Sequence, residues 1–242
     1  MTRPRQSARL GGQAATEFLI VFPMLIFLVF GVIQWALIYQ ARATLNHAVL
    51  LAARAGAVNN GSKADMRKGL AAGLAPLFVS EASMAGYATA RAKAFTEISV
   101  ANLAILSVVN PTPQAFADFG QVRLDGLGGA DRELPNDTLN YRNPAPGASS
   151  GVSIQDANIL HLRVTYCYRM FVPVVGRMIH AVSNALTPFD HSLQNHGMSD
   201  PFGIGDSPLI DPCVRPLVAG PRIRIQGEAL VRMQSPYYRS NL

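Results

Sequence analysis

The sequence predicts an α+β protein, in which a long N-terminal transmembrane helix continues into a domain with further helices and a small antiparallel sheet. Three observations lead to this fold class. A long apolar stretch lies near the start of the chain, two later segments alternate apolar with polar side chains, and turn-forming residues separate the elements. Charged residues make up only 15% of the 242 residues, against roughly 25% in an ordinary soluble domain. This deficit indicates a membrane segment.

The apolar stretch covers residues 18–39, and Gln34 is its only strongly polar side chain. About 20 apolar residues, each adding about 1.5 Å of helix, span a hydrocarbon core of roughly 30 Å. Trp35 and Tyr39 stand near its C-terminal end, where aromatic rings favour the headgroup region. We therefore expect a full crossing by a helix that runs on to about residue 58, where a turn signal follows.

The charges on either side of the span predict its direction. Three arginines precede it, and no acidic residue stands before Glu17, so the positive-inside rule places the N-terminus in the cytoplasm and the later residues outside it. A secretory signal peptide is the alternative, because residues 41–43 (Ala-Arg-Ala) fit a cleavage site. The apolar stretch is longer than the roughly 7–15 residues of such a peptide. We therefore expect the helix to stay as an anchor.

Glu17 stands at the cytoplasmic edge of this apolar helix. A carboxylate at the bilayer centre costs about 3 kcal/mol on insertion scales, and less near the interface. In the simpler interpretation, Glu17 is an interfacial residue whose negative charge is favourable near the N-terminal end of the helix dipole. If a peptidase cut between Gly12 and Gln13, however, Glu17 would lie about one helical turn from a free α-amino group. Pairing with that amine, or with a neighbouring subunit's, would offset the cost of the charge.

This arrangement resembles the type IV prepilin signal, in which a basic leader and a glycine precede a glutamate, an aromatic residue and a long apolar helix. The wider stretch is similar to the TadE-like family of pseudopilins, which belongs to tight-adherence (Flp) pilus systems. The resemblance is strong over roughly the first fifth of the chain. It is carried by Gly12, Glu17, Phe18, Pro23, Gly31, residues 48–58 and the closing residues 231–236.

The resemblance implies three segments in a single-pass protein of the bacterial inner membrane. Residues 1–12 would form a basic leader peptide, residues 13–58 the transmembrane and extended N-terminal helix, and residues 59–242 a periplasmic α+β domain. The implied function is that of a minor pilin or pseudopilin in pilus assembly, with no enzymatic activity and no cofactor. Whether the leader is cleaved and whether the subunit enters the fibre stay open.

The resemblance also implies site residues and partners. A prepilin peptidase would act at Gly12 and Gln13. Glu17, Phe18 and Gly31 would serve assembly, since a glycine permits the close approach of two helices. The implied partners are the inner membrane, the major Flp pilin, other TadE-like subunits and the pilus platform proteins.

Patterns in the rest of the chain predict the elements of the domain. The predicted helices cover residues 64–78, 83–95 and 174–186, and the predicted strands cover residues 104–109, 159–172 and 222–233. The last two strands are expected to pair in an antiparallel sheet. Residues 125–153 and 187–221 are dense in Gly, Pro, Asn and Asp, which predicts surface loops.

The two cysteines, Cys167 and Cys213, fall on the predicted oxidising side of the membrane, where a disulfide persists. A bridge would close a loop of about 47 residues and restrain the unfolded chain by about 4 kcal/mol. We expect this bridge to form. The alternative is a pair of free thiols in a cytoplasmic or unprocessed domain.

Several other functions find no support in the sequence. The net charge is +6, but the 21 Lys and Arg residues are scattered, so we expect no nucleic-acid partner. His191 and His196 lie in a predicted loop without the spacing of a zinc site, so we expect no metal. No catalytic motif supports an enzyme. The functional alternative is a membrane-tethered binding module or adhesin that uses the two loops as its contact surface.

Overall fold

The structure is a computed structural model that describes residues 13–123, 131–186 and 220–242. Its helices are α1 (Gln13–Val58), α2 (Lys63–Leu74), α3 (Met84–Ser99), α4 (Pro113–Phe119), α5 (Ile154–Ala157) and α6 (Pro173–Leu186). Its strands are β1 (Ala104–Asn110), β2 (Gln121–Val122), β3 (Arg132–Leu134), β4 (Ile159–Arg169), β5 (Arg222–Arg232) and β6 (Tyr237–Tyr238). Short 3-10 turns cover residues 75–77, 139–141 and 239–241. The predicted α+β class is confirmed.

The long helix α1 has two halves with opposite surroundings. Its apolar first half is exposed, whereas small and aliphatic side chains of its second half are buried in the core of the domain. Leu45, Ala48, Val49 and Ala52 are among these buried residues, each with no exposed surface. The helix ends at Val58, where the sequence predicts a turn. One uninterrupted helix therefore provides both the apolar surface and the central core element of the domain.

The main sheet has the strand order β1-β4-β5, with both pairs antiparallel. The register of the long pair runs from Ile159 opposite Arg232 to Arg169 opposite Arg222, as the alternating sequence patterns predict. β4 ends at Arg169, and Pro173 begins α6. Proline is favoured in the first helical turn because its missing N–H needs no partner there. The sheet packs against the second half of α1, mainly through β5.

The described residues contain a second sheet that the sequence patterns do not predict. It has the order β2-β3-β6, and β3 lies within residues 125–153, which were expected to form a surface loop. Leu134 in β3 is fully buried, so this part of the loop prediction is wrong. Strands of two or three residues are too short for an alternating pattern to be recognised.

The close packing of α2 against α1 explains the small residues near the end of α1. A Cβ added to Gly73 of α2 would lie 2.4 Å from the Cα of Ala48 in α1. Met66 of α2 similarly approaches Gly56, where an added Cβ would lie 2.6 Å from the Met66 side chain. Backbones approach this closely only where both helices carry small residues. The Ala-rich stretch at residues 48–58 is therefore a packing surface.

Residues 233–242, which we call the C-terminal segment, pack against the turn between α1 and α2. The backbone N–H groups of Gln234 and Ser235 donate to the carbonyl of Ala57, at 3.0 and 3.1 Å. The side-chain amide of Asn60 donates to the Pro236 carbonyl at 2.8 Å. These bonds satisfy backbone groups that the end of a helix leaves without intrahelical partners. The C-terminal segment therefore holds the turn that connects α1 to α2 in place.

Candidate membrane and assembly surface

The exposed half of α1 is long and apolar enough to cross a membrane. None of its most apolar 18-residue window is buried against the rest of the chain. Phe18, Leu19 and Met24 are 62, 74 and 74% exposed. A core helix of a soluble domain would bury one face. Because this half presents apolar side chains all around, its natural environments are lipid or the helices of other subunits.

The predicted site residues at the start of α1 lie on this exposed surface. Gly12 lies outside the described residues, and α1 begins at Gln13. Glu17 and Phe18 are exposed neighbours in the first turns of the helix. The ring of Phe18 stacks on that of Phe22, with 4.9 Å between the ring centroids. The roles of these residues in processing and assembly remain predictions.

Gly31 lies about 20 Å further along α1 than Glu17, given the helical rise per residue. It is partly buried, and a Cβ added at this position would meet nothing within 4 Å. The described part of the chain therefore does not itself require a glycine here. The space beside Gly31 belongs to a groove described below.

Gln34 is a buried polar residue whose structural role the sequence does not reveal. Although it lies in the apolar stretch, its side chain is fully buried. Its Oε1 accepts a hydrogen bond from the backbone N–H of Val172 at 3.0 Å. The polar character of Gln34 is visible in the sequence, but its partner is 138 residues away. This bond holds the start of α6 beside the C-terminal end of the apolar half of α1.

An apolar groove of about 520 Å³ runs between α1, α6 and β5. The α1 side includes Phe27, Gly31 and Trp35. The α6 side includes Val175, Met178 and Val182. Arg42 and Arg224 are the charged side chains among the described residues that line it.

A second cleft of about 580 Å³ lies between α3 and β4, and a partly buried polar network lies at its wall. The Tyr166 hydroxyl donates to Oε2 of Glu97 at 2.7 Å, and Nη2 of Arg222 lies 3.4 Å from Oε1 of the same carboxylate. Burial, and then the negative charge of Glu97, raises the pKa of the Tyr166 hydroxyl well above its usual range. This tyrosine is therefore neutral at physiological pH and serves as a hydrogen-bond donor.

Cys167 is fully buried at the edge of this network, and its carbonyl accepts a hydrogen bond from Nη1 of Arg222 at 2.8 Å. Cys213 lies outside the described residues, as do His191 and His196. The disulfide between the two cysteines therefore stays a prediction. The residues that the structure describes hold no group of three or more His, Cys, Asp or Glu side chains arranged to bind a metal ion.

Comparison with known proteins gives one match. The sequence model of the family described as TadE-like protein matches residues 12–54, which include Glu17, Phe18, Gly31 and the Ala-rich surface that packs on α2. The resemblance read from the sequence is thus confirmed over this range. No curated protein and no solved structure matches the chain. Together, the match over residues 12–54 and the one long apolar helix among the described residues indicate a membrane protein that is similar, in this part of the chain, to proteins of Tad pilus systems.

Proposed function

From this TadE-like match, we propose that the chain is a minor pilin or pseudopilin that acts in the biogenesis of a tight-adherence (Flp) pilus. The match over residues 12–54 carries the proposal, because it covers the predicted processing residues and most of α1. The N-terminus would lie in the cytoplasm and the domain in the periplasm. The partners would be the major Flp pilin, other TadE-like subunits, the platform proteins and a prepilin peptidase.

The two halves of α1 suit this function. The exposed half offers apolar side chains on all sides, so the same surface packs in lipid before assembly and against neighbouring pilin helices afterwards. The other half is buried in the domain, so the domain follows the helix as one body. Gly31, with open space around it, would allow a neighbouring helix to approach closely.

Glu17 would guide the assembly step. Cleavage between Gly12 and Gln13 would create a cationic α-amino group close to the Glu17 carboxylate. The amine of one subunit would then neutralise the carboxylate of the next in a staggered bundle. An ion pair in apolar surroundings forms only where the two charges meet closely, so it favours one helix register over others.

The test replaces Glu17 by glutamine in cells that make the pilus. We expect loss of piliation with normal membrane insertion, because a neutral amide inserts at least as readily but cannot pair with the amine. We expect the peptidase to remove residues 1–12 from the unaltered protein and from the Glu17→Gln protein alike, as measured by the mass of the isolated protein.

Glu81→Gln is the matched control, since Glu81 is an exposed glutamate outside α1. Normal pili in the Glu17→Gln strain would argue against the proposed role of the carboxylate. Retention of residues 1–12 in piliated cells would remove the cationic partner altogether.

A further inference from the structure

Helix α6 carries an exposed row of apolar side chains, which we call the α6 stripe. It consists of Val174, Met178 and Val182, which are 62, 50 and 55% exposed, and their spacing of four residues places them on one side of the helix. Val175, on the adjacent side, is buried against the rest of the chain, whereas Phe171, two residues before the helix, is exposed. Exposed apolar surface of this kind marks a contact with a membrane or with another protein.

The hydrogen bond between Gln34 and Val172 gives the start of α6 a defined position along α1. Gln34 accepts this bond from the Val172 backbone N–H at 3.0 Å. It lies in the apolar stretch of α1, five residues before the end of that stretch at Tyr39, a distance of about 7.5 Å along the helix. Phe171 and Val174, which flank Val172, therefore lie beside the apolar stretch and not beyond its end.

A full membrane crossing needs the part of α1 that lies beside the start of α6. If the membrane ended before Gln34, so that α6 lay in water, residues 18–33 would have to cross it alone. They span about 24 Å of helix, which is short of the roughly 30 Å of a hydrocarbon core. With all of residues 18–39 in the membrane, the start of α6 lies about 7.5 Å inside its domain-side boundary. Amphipathic helices that lie on a membrane bury their apolar side to a similar depth of roughly 5–10 Å.

The later turns of α6 stay beside the same half of α1. Met178 and Val182 line the apolar groove together with Phe27 and Gly31, which both belong to the apolar stretch. Arg177 is exposed on another side of α6 than the stripe. An apolar side next to a basic residue is typical of helices that lie between the acyl chains and the headgroups.

We propose that α6 is a membrane-surface helix, and that the α6 stripe contacts the acyl chains of the domain-side leaflet. It thereby holds the domain against the membrane and sets the depth of α1. Lipid is present at this depth around every inserted subunit, whereas a second copy of the chain reaches the stripe only after association. The proposal rests on membrane insertion of α1 and not on pilus assembly.

The test places a tryptophan on the α6 stripe. The chain contains one tryptophan, Trp35, so Val182→Trp is made together with Trp35→Phe. The full-length protein is reconstituted, at low protein content, in bilayers of phosphatidylcholine with brominated acyl chains, which quench tryptophan from within the membrane. Acrylamide, added to bilayers of the same lipid without bromine, quenches from the water. We expect the brominated lipid to remove most of the fluorescence of this variant and acrylamide to remove little.

Val58→Trp, also made with Trp35→Phe, is the matched control. Val58 has the same exposed fraction as Val182, 55%, but it lies about 28 Å beyond Tyr39 along α1. We expect acrylamide to quench this variant and the brominated lipid to leave it unchanged. Met178→Trp repeats the measurement at a second position of the stripe, and Trp35 of the unaltered protein reports insertion of α1 in the same bilayers.

Quenching of both α6 variants by acrylamide and not by brominated lipid would overturn the proposal, because α6 would then lie in water beside an inserted α1. Protection of both variants from both quenchers would also overturn it, since protein, either another part of this chain or a second copy, would then cover the stripe. Failure of the brominated lipid to quench Trp35 would remove the inserted helix on which the proposal rests. Normal piliation in the Glu17→Gln strain bears on the pilus proposal alone, so the two fail separately.

Discussion

At the scale of single residues, the contact between Gly61 and Tyr237 joins the two ends of the domain. Gly61 has a φ of +76°, and a Cβ added to it would lie 2.3 Å from the Tyr237 ring. Tyr237 is fully buried, and its ring meets that of Phe116 edge-on, with 6.0 Å between centroids. The C-terminal segment can thus close over the turn after α1 because Gly61 has no side chain where the Tyr237 ring lies.

We predict that Gly61→Ala destabilises the protein by about 2–4 kcal/mol, from left-handed backbone strain and from the clash with the ring. Gly151→Ala is the matched control, because its φ is +67° but nothing lies within 4 Å of the added Cβ. It should lose only the backbone contribution of about 1 kcal/mol. Urea unfolding in detergent measures both, and equal losses would show that the ring contact is unimportant.

Asp131 makes the attachment of the C-terminal segment sensitive to acid. The Ser240 hydroxyl donates to its Oδ2 at 2.7 Å, and the Ser240 N–H donates to its Oδ1 at 3.2 Å. The hydroxyl bond is the largest influence, and burial opposes it, yet the pKa of Asp131 lies below its usual 3.8. A lowered pKa in the folded state contributes stability above the unfolded pKa, which is lost as the pH falls through the folded value.

We therefore predict that Asp131→Asn lowers stability at pH 7 and that this loss becomes smaller as the pH falls below the usual carboxyl pKa of 3.8. Urea midpoints of the two proteins, measured at a series of pH values from neutral to acid, provide the measurement. A difference that stays constant across this interval would mean that the charge of Asp131 does not hold Ser240. Serine at position 107 offers a comparison, since Ser107→Ala removes a hydroxyl bond to a carbonyl, which does not titrate.

Residue types alone indicate some of these features and not others. Gln34 is conspicuous in an apolar stretch, and the sequence singles it out for that reason. Its partner is a backbone N–H, which every residue except proline possesses, so no side-chain pattern points to Val172. The partner of Asn60 is equally invisible in the sequence. Its residue type predicts a turn, but its side chain donates to the carbonyl of Pro236, 176 positions later.

At the scale of elements, the packing of α1 against α2 is the most constrained contact. The Cβ of an alanine at position 73 would lie 2.4 Å from the Cα of Ala48, which is backbone and cannot rotate away. Gly31 lies instead in α1, the helix that carries Ala48, and a Cβ added to it meets nothing within 4 Å. The two glycines therefore separate the effect of helix contact from that of helix propensity.

We predict that Gly73→Ala destabilises the protein by about 1–3 kcal/mol despite the better helix propensity of alanine, because α2 must move away from α1. Gly31→Ala should be neutral or stabilise the isolated subunit by up to about 1 kcal/mol. Thermal unfolding in detergent, followed by circular dichroism, compares the two. A stabilising Gly73→Ala would mean that the helices separate without cost.

The long elements were predictable because periodicity accumulates with length. α1, β4 and β5 have 46, 11 and 11 residues, enough for a helical or alternating pattern to be distinct. The strands β2 and β6 have two residues each and depend on distant partners. The pairing of β6 with β3 follows from the position of the C-terminal segment, which only the assembled core determines.

At the scale of the whole molecule, the second half of α1 belongs to the folded domain and not only to its anchor. Leu45 and Val49 have no exposed surface, and they pack with β-sheet residues such as Leu160 in one core. Complete burial of a Leu or Val side chain stabilises a fold by about 1.5–3 kcal/mol. The residues after Val58 would lack several such contributions on their own.

We predict that a soluble fragment of residues 34–242 folds cooperatively and that residues 59–242 alone do not. The longer fragment keeps the Gln34 bond and the buried half of α1, while it omits most of the exposed apolar residues. Urea unfolding followed by circular dichroism distinguishes them. Cooperative unfolding of the shorter fragment at a similar midpoint would show that α1 is dispensable for the core.

The groove and the fold as a whole also differ in how far the sequence determines them. The apolar α1 and the amphipathic pattern of α6 are both visible in the sequence. The contact between these two helices is not visible in the sequence, because it depends on β4 ending near Gln34 and on β5 packing along α1. Surfaces formed by three segments distant in sequence need the tertiary arrangement before they can be recognised.

Because α1 is continuous, its apolar half and the folded domain are expected to rotate together as one rigid body. The helix has no hinge between Gly31 and Val58, so a rotation of its apolar half is transmitted in full to the sheet. One inserted residue in this interval would rotate the domain by about 100° and shift it by about 1.5 Å along the helix axis. A force that pulls on the domain would likewise act directly on the apolar half of the helix, because no flexible linker lies between them.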